Sequence, residues 1–167
     1  MNPTHLPRGA HALLAALLAA SPLASGCAAH YRYTFHLTDP GAKPEADGDG
    51  YEDADLAARL SVDPGAPQAL ALTLTNKTDQ VAQVQWAEVK LGEPDGSVTS
   101  PRPEQDLGWM APGASETARL IPFAVPDRGA PAAAMEGKVF TLELPMIVRR
   151  EPKKWTLHLV AHVEEIK

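Results

Sequence analysis

Apolar and polar residues alternate with a period of two along most of the chain beyond residue 30. Strict alternation of this kind is typical of β-strands with one buried face. It is clearest in the segments 31–38, 70–75, 140–144 and 155–163, and it continues with a shift of phase in 84–91 and 116–125. The sequence therefore predicts an all-β domain.

Further segments and turn signals indicate how these strands are arranged. With an ambiguous segment at 56–62 and a short one at 97–99 there are eight candidate strands, which favours a two-sheet sandwich. The segment 56–62 also fits a short helix that ends before Pro64. The apolar phase shifts near Ala87 and Glu88, which indicates a bulge.

The spacing from Leu72 to Trp86 resembles that between strands B and C of immunoglobulin-like and fibronectin III-like domains, where a buried tryptophan follows the centre of strand B. The resemblance implies an antiparallel β-sandwich of about 7–8 strands with Trp86 in its core. The cysteine pair and the tyrosine corner of antibody domains are missing. Because many functions share this fold class, the resemblance implies no activity.

The first 26 residues have the layout of an export signal. Residues 1–11 carry Arg8 and no acidic residue, residues 12–20 form an unbroken apolar run, and small residues follow Pro22. These are the three regions of a secretory signal peptide. A transmembrane helix needs about 20 apolar residues, so this run is too short to be one.

The segment Leu23-Ala24-Ser25-Gly26-Cys27 resembles the lipobox of bacterial lipoproteins. The resemblance implies cleavage before Cys27, a diacylglycerol (palmitate-type) lipid on its sulfur, and in many cases acylation of the new amine. Two or three acyl chains hold a protein stably on a membrane. Ala28 in place of Asp implies the outer membrane facing the periplasm, with the cell surface as an alternative. Cys27 is the only cysteine, so an intrachain disulfide is excluded.

The expected organisation is a signal peptide at 1–26, a lipidated N-terminus and short tether at 27–30, and a β-sandwich domain at 31–167. An acidic loop is expected at 39–55. An alternative stays open for 31–38, which is a strand of the domain or part of a tether that reaches residue 55.

The mature part is acidic. The chain has a formal charge of −6, and loss of Arg8 with the signal peptide leaves 14 basic against 21 acidic residues, or −7. Nucleic-acid binding depends largely on basic residues that neutralise phosphates, so this balance argues against a nucleic-acid partner.

The acidic stretch 45–55 is a candidate calcium site. Acids fall at positions 1, 3, 5 and 9 of an EF-hand-like loop read from Glu45, and the weak candidate ligands are Glu45, Asp47, Asp49 and Asp53. Position 12 is Leu56 where the bidentate glutamate belongs. We therefore expect a solvated acidic loop, and a calcium-dependent binding module remains the alternative.

Four basic residues cluster near the C-terminus, and they are Arg149, Arg150, Lys153 and Lys154. On an acidic protein, such a cluster is either a solvated turn that protects a sheet edge from aggregation or a docking point for an anionic partner. The anionic partner could be an envelope protein or a glycan.

Catalytic and zinc motifs are weak in this sequence. His158 and His162 lie about 13 Å apart if the segment is a strand, too far for one zinc ion, and a site that recruits His36 is disfavoured. No GxSxG motif or Gly-rich phosphate loop occurs. We expect no cofactor and a non-catalytic docking module on the cell envelope, with a calcium-dependent module as the alternative and an enzyme last.

Overall fold

The computed structural model describes residues 29–45, 48–62, 69–105, 108–121, 125–126 and 128–166. This part of the chain forms thirteen strands and one short helix, so the all-β class is confirmed. The strands are β1 (His30–Leu37), β2 (Lys43–Glu45), β3 (Gly48–Glu52), β4 (Leu56–Val62), β5 (Leu70–Asn76), β6 (Ala82–Val84), β7 (Lys90–Gly92), β8 (Val98–Thr99), β9 (Arg102–Pro103), β10 (Trp109–Met110), β11 (Ser115–Ile121), β12 (Val139–Val148) and β13 (Glu151–Ile166), and the helix is α1 (Gly129–Ala133).

The export signal and Cys27 lie outside the described residues. Within those residues, no helix is both long enough and apolar enough to cross a membrane.

The strands form two antiparallel sheets. Sheet A has the order β1-β13-β12-β6-β10, with β7 also paired to β12 and β8 to β7. Sheet B has the order β2-β3-β4-β5-β11-β9. The four strands β4, β5, β11 and β9, opposite β6/β7, β12 and β13, have the strand order of an immunoglobulin-type sandwich, as predicted. The strands β1, β2 and β3 are additions at the sheet edges.

The core lies between the sheets because each long strand buries alternate side chains. On β5 the buried leucines are Leu70, Leu72 and Leu74, which face away from the outward Thr73 and Thr75. The ambiguous segment 56–62 is a strand, since it buries alternate residues and pairs with β5 along its whole length. The predicted alternation therefore sets the inner face of both sheets.

Trp86 packs against the core but is only partly buried, so that prediction is right only in part. A 3-10 turn, Trp86–Glu88, separates β6 from β7 at the predicted phase shift. Trp86 begins this turn, and its half-buried side chain packs against the core. The tryptophan that the core does bury is Trp155 on β13, at 5% exposure.

The segment 31–38 is mostly strand rather than tether. Strand β1 pairs with β13 from His30 opposite Ile166 to Leu37 opposite Leu159. Ala29, the residue before this strand, accepts a backbone hydrogen bond from Gly129. Ala29 therefore belongs to the folded domain.

The acidic stretch 39–55 was expected to be a solvated loop, and this prediction is wrong for Lys43–Glu45 and Gly48–Glu52, which are strands. Strands β2 and β3 form a hairpin here that extends sheet B. Asp49 is only 6% exposed, because its carboxylate accepts the backbone N–H of Leu37 at 2.7 Å. Gly48 has φ +137°, and a Cβ there would lie 2.2 Å from the carbonyl oxygen of Leu60, so the hairpin requires glycine.

Strand β13 runs the length of sheet A. It begins at the turn after β12 and ends opposite His30, where the chain enters the domain. Its 16 residues span roughly 50 Å at about 3.3 Å per residue. The β12–β13 turn and the chain entry are therefore at opposite ends of the sandwich.

Candidate functional site

The turn between β12 and β13 consists of two arginines in a strained conformation. Arg149 and Arg150 have φ values of 53° and 66°, and they connect Val148 to its partner Glu151. Two-residue hairpin turns with positive φ at both positions favour Asn and Gly. A residue with a Cβ costs roughly 1–2 kcal/mol in this region. Strain of this kind is concentrated at functional sites, so the turn is a candidate.

An open groove lies beside this turn. Its volume is about 940 Å³, and its lining residues are Gln80, Val81, Trp109, Ile147, Arg149 and Arg150. Trp109 is 58% exposed and Val81 is 44% exposed, so the groove floor is apolar and open to solvent. Exposed aromatic and aliphatic side chains grouped in this way commonly mark an interaction site. The groove combines them with two guanidinium groups.

Two of the lining residues, Trp109 and Ile147, lie in one row of sheet A. Trp109 on β10 lies opposite Gln83 on β6, and Gln83 lies opposite Ile147 on β12. The neighbours of this row, Ala82, Val84 and Met110, point inward and are buried. Side chains of the row therefore point to the outer face.

Asn76 holds β10 next to Gln80, one of the residues that line the groove. Its side chain is fully buried, and its amide donates to the carbonyl oxygens of Gln80, Met110 and Ala111 at 2.7, 3.0 and 3.2 Å. Its carbonyl oxygen accepts from the backbone N–H and the hydroxyl of Thr78. Sequence reasoning missed this role, because two of the three carbonyls belong to Met110 and Ala111, which are 34 and 35 positions away.

The structure separates the four basic candidates. Lys154 forms an ion pair with Glu143 at 2.7 Å on the outer face of sheet A. Lys153 lies 2.7 Å from Asp53 and 2.8 Å from Asp55, both from the turn before β4. These two lysines are outside the groove lining.

Of the four basic candidates, only the two arginines line the groove. Arg149 pairs with Asp55 at 3.2 Å and keeps 54% of its side chain exposed. Arg150 is exposed and forms no ion pair within the described part of the chain. The guanidinium of Arg150 is therefore the least engaged cation of the cluster.

Asp53 joins the acidic and basic segments. Partial burial raises the pKa of Asp53, but hydrogen bonds from Lys153, from the backbone of Asp55 and Leu56, and from Trp155 outweigh that and lower it from 3.8 to about 2. The pKa of Lys153 is lowered by burial, but its hydrogen bonds to Asp53 and Asp55 raise it above its ordinary value. Asp53 and Lys153 are therefore both charged at neutral pH.

The calcium candidates have separate roles. Asp53 is committed to this cluster and Asp49 to the backbone of β1 and to His36, whose Nδ1 lies 3.4 Å away. Asp47 and the side chain of Glu45 lie outside the described residues. Among the residues described, no group of three or more His, Cys, Asp or Glu could hold a metal ion.

Three histidines lie on the outer face of sheet A, each beside a carboxylate. The pairs are His36 with Asp49 at 3.4 Å, His158 with Asp39 at 2.8 Å, and His162 with Glu136 at 3.0 Å. All three imidazoles are about half exposed. The ring centroids of His36 and His162 are 6.4 Å apart. Asp39 and Glu136 also accept backbone N–H groups of β13, so they extend its hydrogen bonding beyond its partner strands.

No protein-family model matches this chain, and no similar protein was found among the curated proteins or the solved structures. The choice between functions therefore depends on the chemistry of the chain itself.

Proposed function

We propose that this chain is a lipid-anchored protein of the cell envelope whose non-catalytic β-sandwich docks an anionic partner. The observation that carries the docking function is the groove, in which Trp109 lies exposed beside Arg149 and Arg150 on a chain of net charge −6. Arginine binds carboxylates and phosphates through two parallel hydrogen bonds, and tryptophan is common at the centre of binding surfaces. Both are found together here.

The lipid anchor is supported by the sequence before the domain. A complete signal layout ends in the lipobox at Cys27, and the first strand begins at His30. Three residues reach roughly 10 Å, so a lipid on Cys27 would hold the domain against the headgroups. The proposed location is the outer membrane, facing the periplasm.

Docking fits the groove better than catalysis or calcium binding. The six lining residues include no carboxylate, imidazole or thiol, the groups that most often serve as general acid or base. Of the calcium candidates, Asp49 and Asp53 already bind protein donors. A cation would have to displace those contacts.

Metabolic labelling with a clickable palmitate tests the anchor. We expect label on the wild type and on Ser21→Ala, a control that leaves the lipobox intact. Cys27→Ala should carry no label and should leave the membrane fraction. Equal labelling of wild type and Cys27→Ala would contradict the anchor.

Co-sedimentation of the purified full chain with isolated envelope fractions tests docking. The retained fraction should fall as the salt concentration rises, because ionic contacts at exposed sites are screened. Arg150→Ala should reduce retention, while Arg32→Ala, which removes an exposed arginine of β1 at the other end of the sandwich, should not. Equal retention of both variants would contradict docking through the groove.

A further inference from the structure

We infer that the groove binds a carbohydrate chain that carries carboxylate or phosphate groups. This inference rests on the proposed docking function and names its partner class. Three features of the groove support it: the aromatic floor, the guanidinium pair and the form of the nearest sheet edge.

The floor is suited to the face of a sugar ring. A sugar ring has an apolar C–H face and a rim of hydroxyls, and the exposed indole of Trp109 offers a flat apolar surface of matching size. Val81 and Ile147 extend this surface. The side-chain amide of Gln80 has both donors and an acceptor, so it can bond ring hydroxyls from the side.

The charge of the groove selects an anionic chain. Arg149 and Arg150 are adjacent in sequence, and none of the lining residues is acidic. The ion pair with Asp55 orients Arg149, while Arg150 remains available to a ligand. A planar guanidinium matches the two oxygens of a carboxylate or a phosphate. A neutral sugar would leave that capacity unused and would give the strained arginine turn no role.

The nearest sheet edge does not favour an extended acidic peptide. Peptides that add a strand to a sheet gain affinity from a series of main-chain hydrogen bonds. The edge strand beside the groove, β10, consists only of Trp109 and Met110. The apolar floor lies instead on the outer face of the sheet, where side chains meet the ligand. The groove therefore provides side-chain contacts to the face of a stacked ring, and not a series of main-chain hydrogen bonds to a strand.

Isothermal titration calorimetry on the full chain in mild detergent tests the inference with four probes. The anionic sugars are tetragalacturonate and a mannose 6-phosphate oligosaccharide. Fully methyl-esterified tetragalacturonate is the neutral match of the first, and hexaglutamate represents an acidic peptide. We expect both anionic sugars to bind, the methyl ester to bind at least tenfold more weakly, and hexaglutamate not to bind.

Variants assign the binding to the groove. Arg150→Gly and Trp109→Ala should each weaken binding of the anionic sugars at least tenfold, and Arg32→Ala should leave it unchanged. Arg150→Gly suits the positive φ of the turn, so it keeps the fold, and a melting curve checks this.

Three results with the sugar probes would overturn the inference. They are no binding of either anionic sugar, unchanged binding in Arg150→Gly and Trp109→Ala, and methyl ester binding equal to that of the acid. Binding of hexaglutamate in place of the sugars would also overturn it, but would leave the docking function standing with a protein partner. Failure of the lipid-anchor proposal would be detected separately, by equal palmitate labelling of the wild type and Cys27→Ala.

Discussion

The indole Nε1 of Trp155 donates a hydrogen bond to a carboxylate oxygen of Asp53 at 2.9 Å, between residues 102 positions apart. Trp155 belongs to sheet A, and Asp53 belongs to the turn between β3 and β4 of sheet B. The ring of Trp155 also contacts the ring of Tyr51 edge to face, with centroids 5.2 Å apart. Together with the ion pair to Lys153, this bond joins the two sheets near the β12–β13 turn.

Loss of this hydrogen bond should be measurable apart from loss of packing. Trp155→Phe keeps an aromatic ring and removes the donor to a charged acceptor, so we expect the free energy of unfolding to fall by about 1–3 kcal/mol in urea titrations. Trp86→Phe is the matched control, because the buried Nε1 of Trp86 has no hydrogen-bond partner among the described residues. An equal loss in both variants would show that ring volume, not the bond to Asp53, is responsible.

The same cluster predicts a dependence of stability on pH. The pKa of Asp53 is lower in the folded protein, about 2, than its ordinary 3.8, so its stabilising effect is present above pH 3.8 and is lost as the pH falls toward 2. After allowance for solvent screening, the effect is on the order of 1 kcal/mol. Urea titrations from pH 5 to pH 2 should give a shallower fall in stability for Asp53→Asn than for the wild type. Asp79→Asn changes an exposed carboxylate outside the cluster, so its stability should fall in parallel with that of the wild type.

Asn76 should be among the residues least tolerant of change. Asn76→Asp replaces an amide that donates to three carbonyl oxygens with an acceptor, so buried carbonyls would face a carboxylate. We expect a loss of at least about 3 kcal/mol in the free energy of unfolding. Asp79→Ala in the same turn is the control, and it should change stability by less than about 0.5 kcal/mol. A mild effect of Asn76→Asp would mean that the network does not hold β10.

The two arginines at positive φ should lower the stability of the folded protein. Arg150→Gly relieves one positive-φ residue, so we expect a gain of about 1 kcal/mol and a melting temperature higher by about 3–5 °C. Arg150→Ala removes the guanidinium but keeps the Cβ, and it should leave the melting temperature near that of the wild type. A lower melting temperature for Arg150→Gly would show that the arginine stabilises the turn rather than straining it.

The period of two predicted most of the sandwich because alternation records which side of a strand is buried. It gave the inner faces of β5, β12 and β13, and it located the break between β6 and β7. It did not identify that break as a 3-10 turn, since a one-residue phase shift fits several local conformations. For the same reason, the spacing from Leu72 to Trp86 did not show that Trp86 packs against the core without being fully buried in it.

The candidate site could be predicted only in part. The basic residues were found as a run, but their division into paired lysines and groove arginines depends on Asp53 and Asp55, nearly 100 positions away. Local charge patterns carry no information on such pairing. Trp109 was missed altogether, because it lies in a strand of two residues with no alternation to mark it. A lone tryptophan outside any periodic segment was the one available signal.

The pairing of β1 with β13 also has a consequence for folding. The first strand of the domain forms its backbone ladder with the last, so sheet A cannot be completed until synthesis reaches the C-terminal residues. Contacts between chain ends carry a high loop-closure cost and slow folding. Until β13 has been synthesised, β1 lacks its partner strand in sheet A, a property suited to a protein whose N-terminal residues have the layout of an export signal.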